Sequence, residues 1–413
     1  MKKLLLLGLA LLLLGSALFA DDAKVMPARI GRFYLAPNFS FANGAYNKDG
    51  DKQSFEDDGS IKVFNLGFAL EYGITKWITG ALQWAPGWTI WSDISSAAPA
   101  GIQSAATGQI TTPFDGDITT NGVADLFLGA KIQIIGPAAP VQTDMFRLAI
   151  APGLAIPLPG PDFSDEVENA MKGDKAKFST MDKHTLGAGG RFYFDYNIGK
   201  YFFINLYNET LFYPIKKDLN KDGPNLAILK ETILTTAYDA GYYGVLGPIL
   251  AGGGTPTAAE MAAAKTTGDT YRAGTKAYTD KLEGEVNYKY RLTFEIEPAL
   301  SMPLSDGALV LGAGLPVNYV FSPAYDYSVD GLDKLVAAAS GMGMDMTEDY
   351  LLEQGKLVGK NSHILTLKPN VSLMLMKIAL PLEFKLQYSI PLYGQNANAT
   401  NTIAFQIRAY FKI

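Results

Sequence analysis

Few side chains in this 413-residue chain carry the chemistry of a catalyst. It has two histidines, His184 and His363, and no cysteine. A hydrolase needs a nucleophile within hydrogen-bond reach of a base. Ser362 adjoins His363, but consecutive residues of a strand point to opposite faces, so a rim hydrolase is the weakest of three functional readings. Asp218, Asn220, Asp222 and Gly223 follow the first half of a calcium loop, D-x-N-x-D-G. The twelfth position is Leu229 rather than Glu, with Glu231 nearby, so an ordinary polar turn is the simpler reading. No cofactor is expected. Trp77, Trp84, Trp88 and Trp91 admit a sugar-stacking path, but interfacial aromatic girdles explain them more simply.

What remains is a dispersed set of charges. The bases are Arg32, Lys131, Arg147, Arg191, Lys289, Arg291, Lys368, Lys385 and Arg408. The acids are Glu71, Asp125, Asp195, Glu209, Glu295, Glu297 and Glu383. Each lies in a run of alternating residues, on the face opposite a row of apolar side chains. A side-chain period of two separates such sets across a strand. The clearest run is Val286 to Leu304. There Val286, Tyr288, Tyr290, Leu292, Phe294 and Ile296 oppose Asn287, Lys289, Arg291, Thr293, Glu295 and Glu297.

The alternation recurs about a dozen times, as expected of a mid-sized outer-membrane barrel. Long polar connections alternate with tight turns, which implies an even strand number and both termini on the periplasmic side. Lys or Arg on a lipid face at mid-bilayer costs about 2–4 kcal/mol, whereas the same residue in a lumen costs little. A soluble β-sandwich would rarely carry so many charges on its core side. The expected fold is therefore all-β: a transmembrane antiparallel up-and-down barrel of about 12 strands, or 14 if a hairpin hides around Tyr238–Leu250.

The flanking features fit export. Lys2 and Lys3, the apolar run Leu4–Leu14 and the small residues Ala17–Ala20 read as a signal peptide over 1–20, cut after Ala20 or alternatively Ala17. Residues 21–413 then form one barrel domain. Alternation fails over 213–284, a long extracellular insertion with helices expected at Asn225–Tyr238 and Thr257–Lys265. A second helical loop is expected over 322–360, around Leu332–Ala339 and Thr347–Leu357, and a helical turn between Ser164 and Gly173. The net charge of −6 gives no reason to invoke nucleic acid. The expected partners are outer-membrane lipid, a small-molecule solute and, during biogenesis, the barrel-assembly machinery.

The run Asn121–Lys131, with Gly122, Asp125, Gly129 and Lys131, resembles the G-x-x-D-x-x-x-G-x-K strand of the outer-membrane barrel family named for the phenol meta-pathway. Tyr72-Gly73-Ile74-Thr75 and the Leu148–Gly160 segment are similar to other motifs of that family. The resemblance covers about Phe64 to Tyr213 and implies a barrel that passes small, often hydrophobic compounds. It brings no catalytic residue. More distantly the chain is similar to the long-chain fatty acid transporter type, a fourteen-stranded barrel with an N-terminal plug. Such a plug is not expected here, because only about ten residues separate the expected cleavage site from the first strand.

Two readings of the charged face follow. In one, the sixteen charges line a water-filled path, with recurrent Gly and Ala leaving room. In the other, internal ion pairs close the barrel, and its helical loops serve adhesion or structure.

Overall fold

The computed structural model describes residues 22–55, 59–95, 102–103, 110–111, 123–158, 183, 185–219, 224–341, 347–354 and 357–412. The signal peptide, His184, Asn220, Asp222 and the Ser164–Gly173 turn lie outside the described residues.

Alternation has become strand almost everywhere it was found. The wall consists of β1 (Ile30–Ala42), β2 (Ser60–Gly73), β3 (Ile78–Ser95), β4 (Leu126–Ile135), β5 (Phe146–Ile156), β6 (Gly187–Ile198), β7 (Phe202–Tyr213) and β8 (Lys289–Leu304). It continues with β9 (Leu309–Gly314 and Val317–Ser322), β10 (Ser362–Leu367 and Asn370–Leu375), β11 (Leu382–Gln395) and β12 (Asn401–Lys412). Each strand pairs antiparallel with its sequence neighbours, and β1 pairs with β12, so the twelve close into a barrel. The sheet contains fourteen strand segments only because β9 and β10 are each interrupted, at Leu315–Pro316 and Lys368–Pro369. Proline has no N–H to give a ladder, and the adjacent prolines break both strands at one level. Lys368 N–H bridges the break to the Pro316 carbonyl at 2.8 Å.

Turns and loops segregate. The β2–β3, β4–β5, β6–β7, β8–β9 and β10–β11 connections share one end with the start of β1 and the finish of β12. The remaining connections, the longest among them, occupy the other, the loop end. The outer face leaves Phe33, Leu70, Leu128, Ile150, Phe192, Phe294, Val371, Leu386 and Phe405 exposed all around the wall. A continuous apolar band of this kind needs lipid rather than water against it. Trp84, Trp88 and Trp91 also face outward, with Trp91 stacked on Phe39 at 6.4 Å and Trp84 edge-on to Phe68 at 5.4 Å.

The loop end carries a cap. Lys217–Asp218, Glu283–Asn287 and Asp326–Asp330 form a separate three-stranded sheet. On it pack helices α1 (Pro224–Ala251), α2 (Ala258–Thr279), α3 (Leu332–Gly341) and α4 (Glu348–Gln354). Leu226, Leu229, Ile233, Leu282, Val286, Leu335 and Leu351 form its apolar core. The α1–α2 hairpin closes tightly at two glycines: a Cβ on Gly241 would meet the Thr267 carbonyl, and one on Gly268 the Tyr238 ring. Thr257 caps α2, its backbone N–H and side chain both engaged by Glu260.

Three expectations are corrected here. The helices of the 213–284 insertion reach further than expected, and α1 runs through Tyr238–Leu250, so no extra hairpin exists there. The stretch from Val286 is not one strand. Val286 is buried in the cap core, Lys289 takes a left-handed backbone (φ 59°), and the barrel strand starts only there. The alternation is real on both sides of the break, but it belongs to two sheets. The third correction concerns the N-terminal segment and is made with the lumen.

Candidate functional site

The lumen is built in layers. Near the loop end it is polar and uncharged: Asn65 donates to Asn38 at 3.0 Å, Thr89 donates to Asn65 at 2.9 Å, and the Ser40 and Thr402 hydroxyls meet at 2.8 Å. These pairs form because facing residues of adjacent strands share a face, as Asn38 and Asn65 do in the β1–β2 register.

Below this layer lie most of the charges picked out by pattern. Arg32 and Glu71, register partners on β1 and β2 close to the turn end, pair at 2.6 Å. Glu209 accepts from Arg191 at 2.6 Å and from Arg291 at 3.0 Å, linking β6, β7 and β8. Arg191 also donates to Gln83 at 2.5 Å, across the lumen. Lys368 and Glu295 pair at 3.2 Å and are both 2 % exposed. Breaking such a buried pair by removing one partner costs about 3–5 kcal/mol. Lys131 lies 4.2 Å from the Tyr193 ring centre.

The turn-end layer holds Arg147–Asp195 at 3.4 Å, Arg408–Glu383 at 3.3 Å, and Glu297, which accepts from the Asn205 and Asn370 amides at 2.9 and 3.0 Å. Lys385 faces this layer and makes no ion pair among the described residues. Asp125 is buried beneath the cap.

One predicted member does not belong. Lys289, at the kink that begins β8, pairs with the exposed Asp326 at 2.8 Å and sits on the rim. The expectation of room beside the small residues also fails. Gly129, Gly153 and Gly189 are register partners on β4, β5 and β6. The Phe127 ring lies on this row, where a Cβ at Gly129 or Gly153 would strike it. The Arg191 guanidinium stacks on its other face, 3.8 Å from the ring centre. The glycine of the family-like motif thus seats an aromatic ring rather than widening a pore.

The N-terminal segment fills more of the lumen, contrary to the expectation that so short a piece could not act as a plug. Ala23 N–H donates to both Asp195 carboxylate oxygens, at 2.9 and 3.1 Å. Met26 N–H donates to Thr79 Oγ1 at 2.8 Å, while Gln133 and Lys131 donate to the Ala23 and Asp22 carbonyls at 2.8 and 2.9 Å. The segment therefore crosses from β1 past β3 and β4 to β6. Beside it, along β8–β12, a cavity of about 640 Å³ remains, bordered by Lys24, Arg32, Arg147, Glu297, Asn370, Glu383, Lys385 and Arg408.

Several contributors were missed by selecting charges alone. Tyr34, 1 % exposed, lies between Arg32 and Arg408 at 4.6 and 5.0 Å. Tyr193 and Tyr207 pack at 5.3 Å, and Tyr207 donates to Glu209 at 3.1 Å. Their signal was strand parity, which set them on the charged face. Lys183 was missed outright. Its ammonium sits in a nest of Tyr213, Tyr288 and Tyr325 beneath the cap. Tyr288, which alternation assigned to the apolar outer face, points into this nest because the chain kinks after it.

The other candidates separate. Ser362 points inward and is buried, whereas His363 faces out between Tyr319 and Tyr393, with ring centres at 5.8 and 5.6 Å, so the two cannot form a Ser–His pair. Asp218 is a strand residue of the cap. Among the described residues no group of three or more His, Cys, Asp or Glu could hold a metal ion.

No protein-family model matches the chain, and no curated protein matches it. Solved structures do. An outer membrane channel from Pseudomonas putida F1 superposes with a TM-score of 0.51 at 10% identity, over 95% of this chain and 100% of that one. A FadL homologue from Pseudomonas aeruginosa gives 0.34 at 8% identity, over 93% and 90%. The toluene transporter TodX of P. putida gives 0.33 at 8% identity, over 93% and 90%. Together with the closed twelve-strand wall, the first of these likenesses identifies the fold as that of an outer-membrane β-barrel.

Proposed function

We propose that this protein is a passive outer-membrane channel for small solutes, shut at rest by its own N-terminal segment. Both termini and the tight turns would face the periplasm, and the helical cap the exterior. The observation that carries this reading is how the 640 Å³ cavity ends. It abuts a segment held by side-chain-to-backbone hydrogen bonds rather than by sheet pairing, a closure that can leave without dismantling the wall. Polar capacity in the lumen supports a wet interior. Asn38 Nδ2, Asn205 Oδ1, Thr293 Oγ1 and Glu295 Oε1 are buried with no protein partner among the described residues. Each such atom costs about 1–3 kcal/mol unless water or solute reaches it.

Planar-bilayer recording of the refolded chain, with and without residues 22–26, tests this. The intact chain is expected to pass little current and the deletion variant steady steps. A deletion variant that folds yet stays silent would overturn the channel reading. It would favour the second one, a closed barrel displaying its cap for adhesion or structure, which the cap's own apolar core supports.

A further inference from the structure

The nest around Lys183 is built as a receptor for a cation. The ammonium lies 4.4 Å from the Tyr213 ring centre, 4.7 Å from that of Tyr288 and 4.3 Å from that of Tyr325, and it donates to the Tyr325 hydroxyl at 3.0 Å. Ring faces carry negative charge density, and several rings about one ammonium form the aromatic cage by which methylated amines are recognised. The cage is prearranged by elements distant in sequence. Tyr213 ends β7, Tyr288 precedes β8, and Tyr325 packs edge-on against Tyr288 at 4.9 Å. Burial pushes the Tyr325 phenol up, so at neutral pH an O–H rather than an oxyanion meets the ammonium. Lys183 itself is 5 % exposed. It arrives from a loop rather than from the wall or the cap that make the cage.

We infer that the Tyr213–Tyr288–Tyr325 cage is a binding site for organic ammonium groups, and that Lys183 occupies it as a tethered stand-in for such a ligand. A tethered group competes at an effective concentration of order millimolar, so the intact chain binds a free ammonium weakly. Cutting Lys183 back to alanine vacates a space the size of four methylenes and an ammonium, enough for tetramethylammonium.

The experiment is saturation-transfer and chemical-shift NMR on the methyl signal of tetramethylammonium, added to the refolded full chain in detergent. Lys183→Ala is expected to bind it roughly tenfold or more tightly than the parent, with the methyl signal moved upfield by the rings. Lys183→Met fills the cage with a neutral chain of similar length and is expected not to bind. Tyr325→Phe keeps the ring and is expected to retain binding in the Lys183→Ala background, whereas Tyr213→Leu loses it. Uncharged tert-butanol is expected to give no transfer. A folded Lys183→Ala that ignores tetramethylammonium, or takes up tert-butanol equally well, would overturn the inference and leave Lys183 a structural tie between loop and cap. The measurement does not need the barrel to conduct, so a silent channel and an empty cage are separate failures.

Discussion

Phe127 and the glycines beneath it act as one unit, and substitution on either side tests that. The ring shields backbone that Gly129 and Gly153 leave bare, and Arg191 closes its other face. Gly153→Val puts a branched side chain where the ring lies, and overpacking of this kind costs about 1–3 kcal/mol. Phe127→Ala removes the ring and costs about 3–5 kcal/mol at most, less where water can refill the space. Because the two changes act on the same space, the double variant is expected to cost clearly less than the sum. Urea unfolding in lipid vesicles reads this as a double-mutant cycle. Additive costs would show that ring and glycines are independent. The inward position of Phe127 was legible, since it shares parity with Asp125 and Lys131. Its partners were not, because a two-residue period assigns a face and leaves depth and cross-lumen contacts open. The same limit hid the Lys183 cage, whose members lie far apart in sequence and meet only where wall and cap join.

At the scale of elements, the strands were legible because one face meets lipid and the other meets polar groups, so every strand carries the contrast in full. The cap was legible only in part. The helices α3 and α4 show apolar spacing and were placed well, whereas α1 is apolar on several faces and its length was underread. Val286 to Lys289 shows why pattern alone fails at a junction: alternation persists across the kink while the sheet changes. The cap's tyrosines give it a pH dependence of its own. Burial raises Tyr327 from 10.0 to about 12 and holds Tyr325 higher still. A raised folded-state value means the neutral form is preferred by the fold. The stabilisation is therefore complete below about pH 10 and is lost as pH rises through the folded value. The cap is expected to loosen between about pH 10 and 12 while the barrel persists. Tyrosinate absorbance, followed alongside limited proteolysis of 224–279, checks this, and Tyr327→Phe should move the onset upward. Proteolysis of the cap that is unchanged across this range would sink the idea.

For the whole molecule, the arrangement of charge decides what the turn-end cavity would admit once the N-terminal segment is gone. Read along one strand, the inward residues Lys289, Arg291, Glu295 and Glu297 show both signs and argue against strong ion selectivity. In the folded barrel the balance is uneven. Lys289 leaves for the rim, Arg291 and Glu295 are consumed in buried pairs, and only Glu297 borders the cavity. From the wall, Arg32, Lys76, Arg147, Lys385 and Arg408 face it against Glu297 and Glu383. Arg32, Arg147 and Arg408 are partly neutralised by carboxylate partners, which leaves Lys76, on the β2–β3 turn, and the half-buried Lys385 as the excess. A mouth of this sign concentrates anions, modestly at physiological salt, where the screening length is about 8 Å, and more strongly in dilute buffer. Reversal potentials of the chain lacking residues 22–26 under a salt gradient are therefore expected to favour anions. Lys385→Glu changes the local charge by two and should abolish or reverse that preference, without altering the fold of a residue that makes no ion pair among those described. A Lys385→Glu channel with unchanged selectivity would mean that ions pass elsewhere than through this cavity.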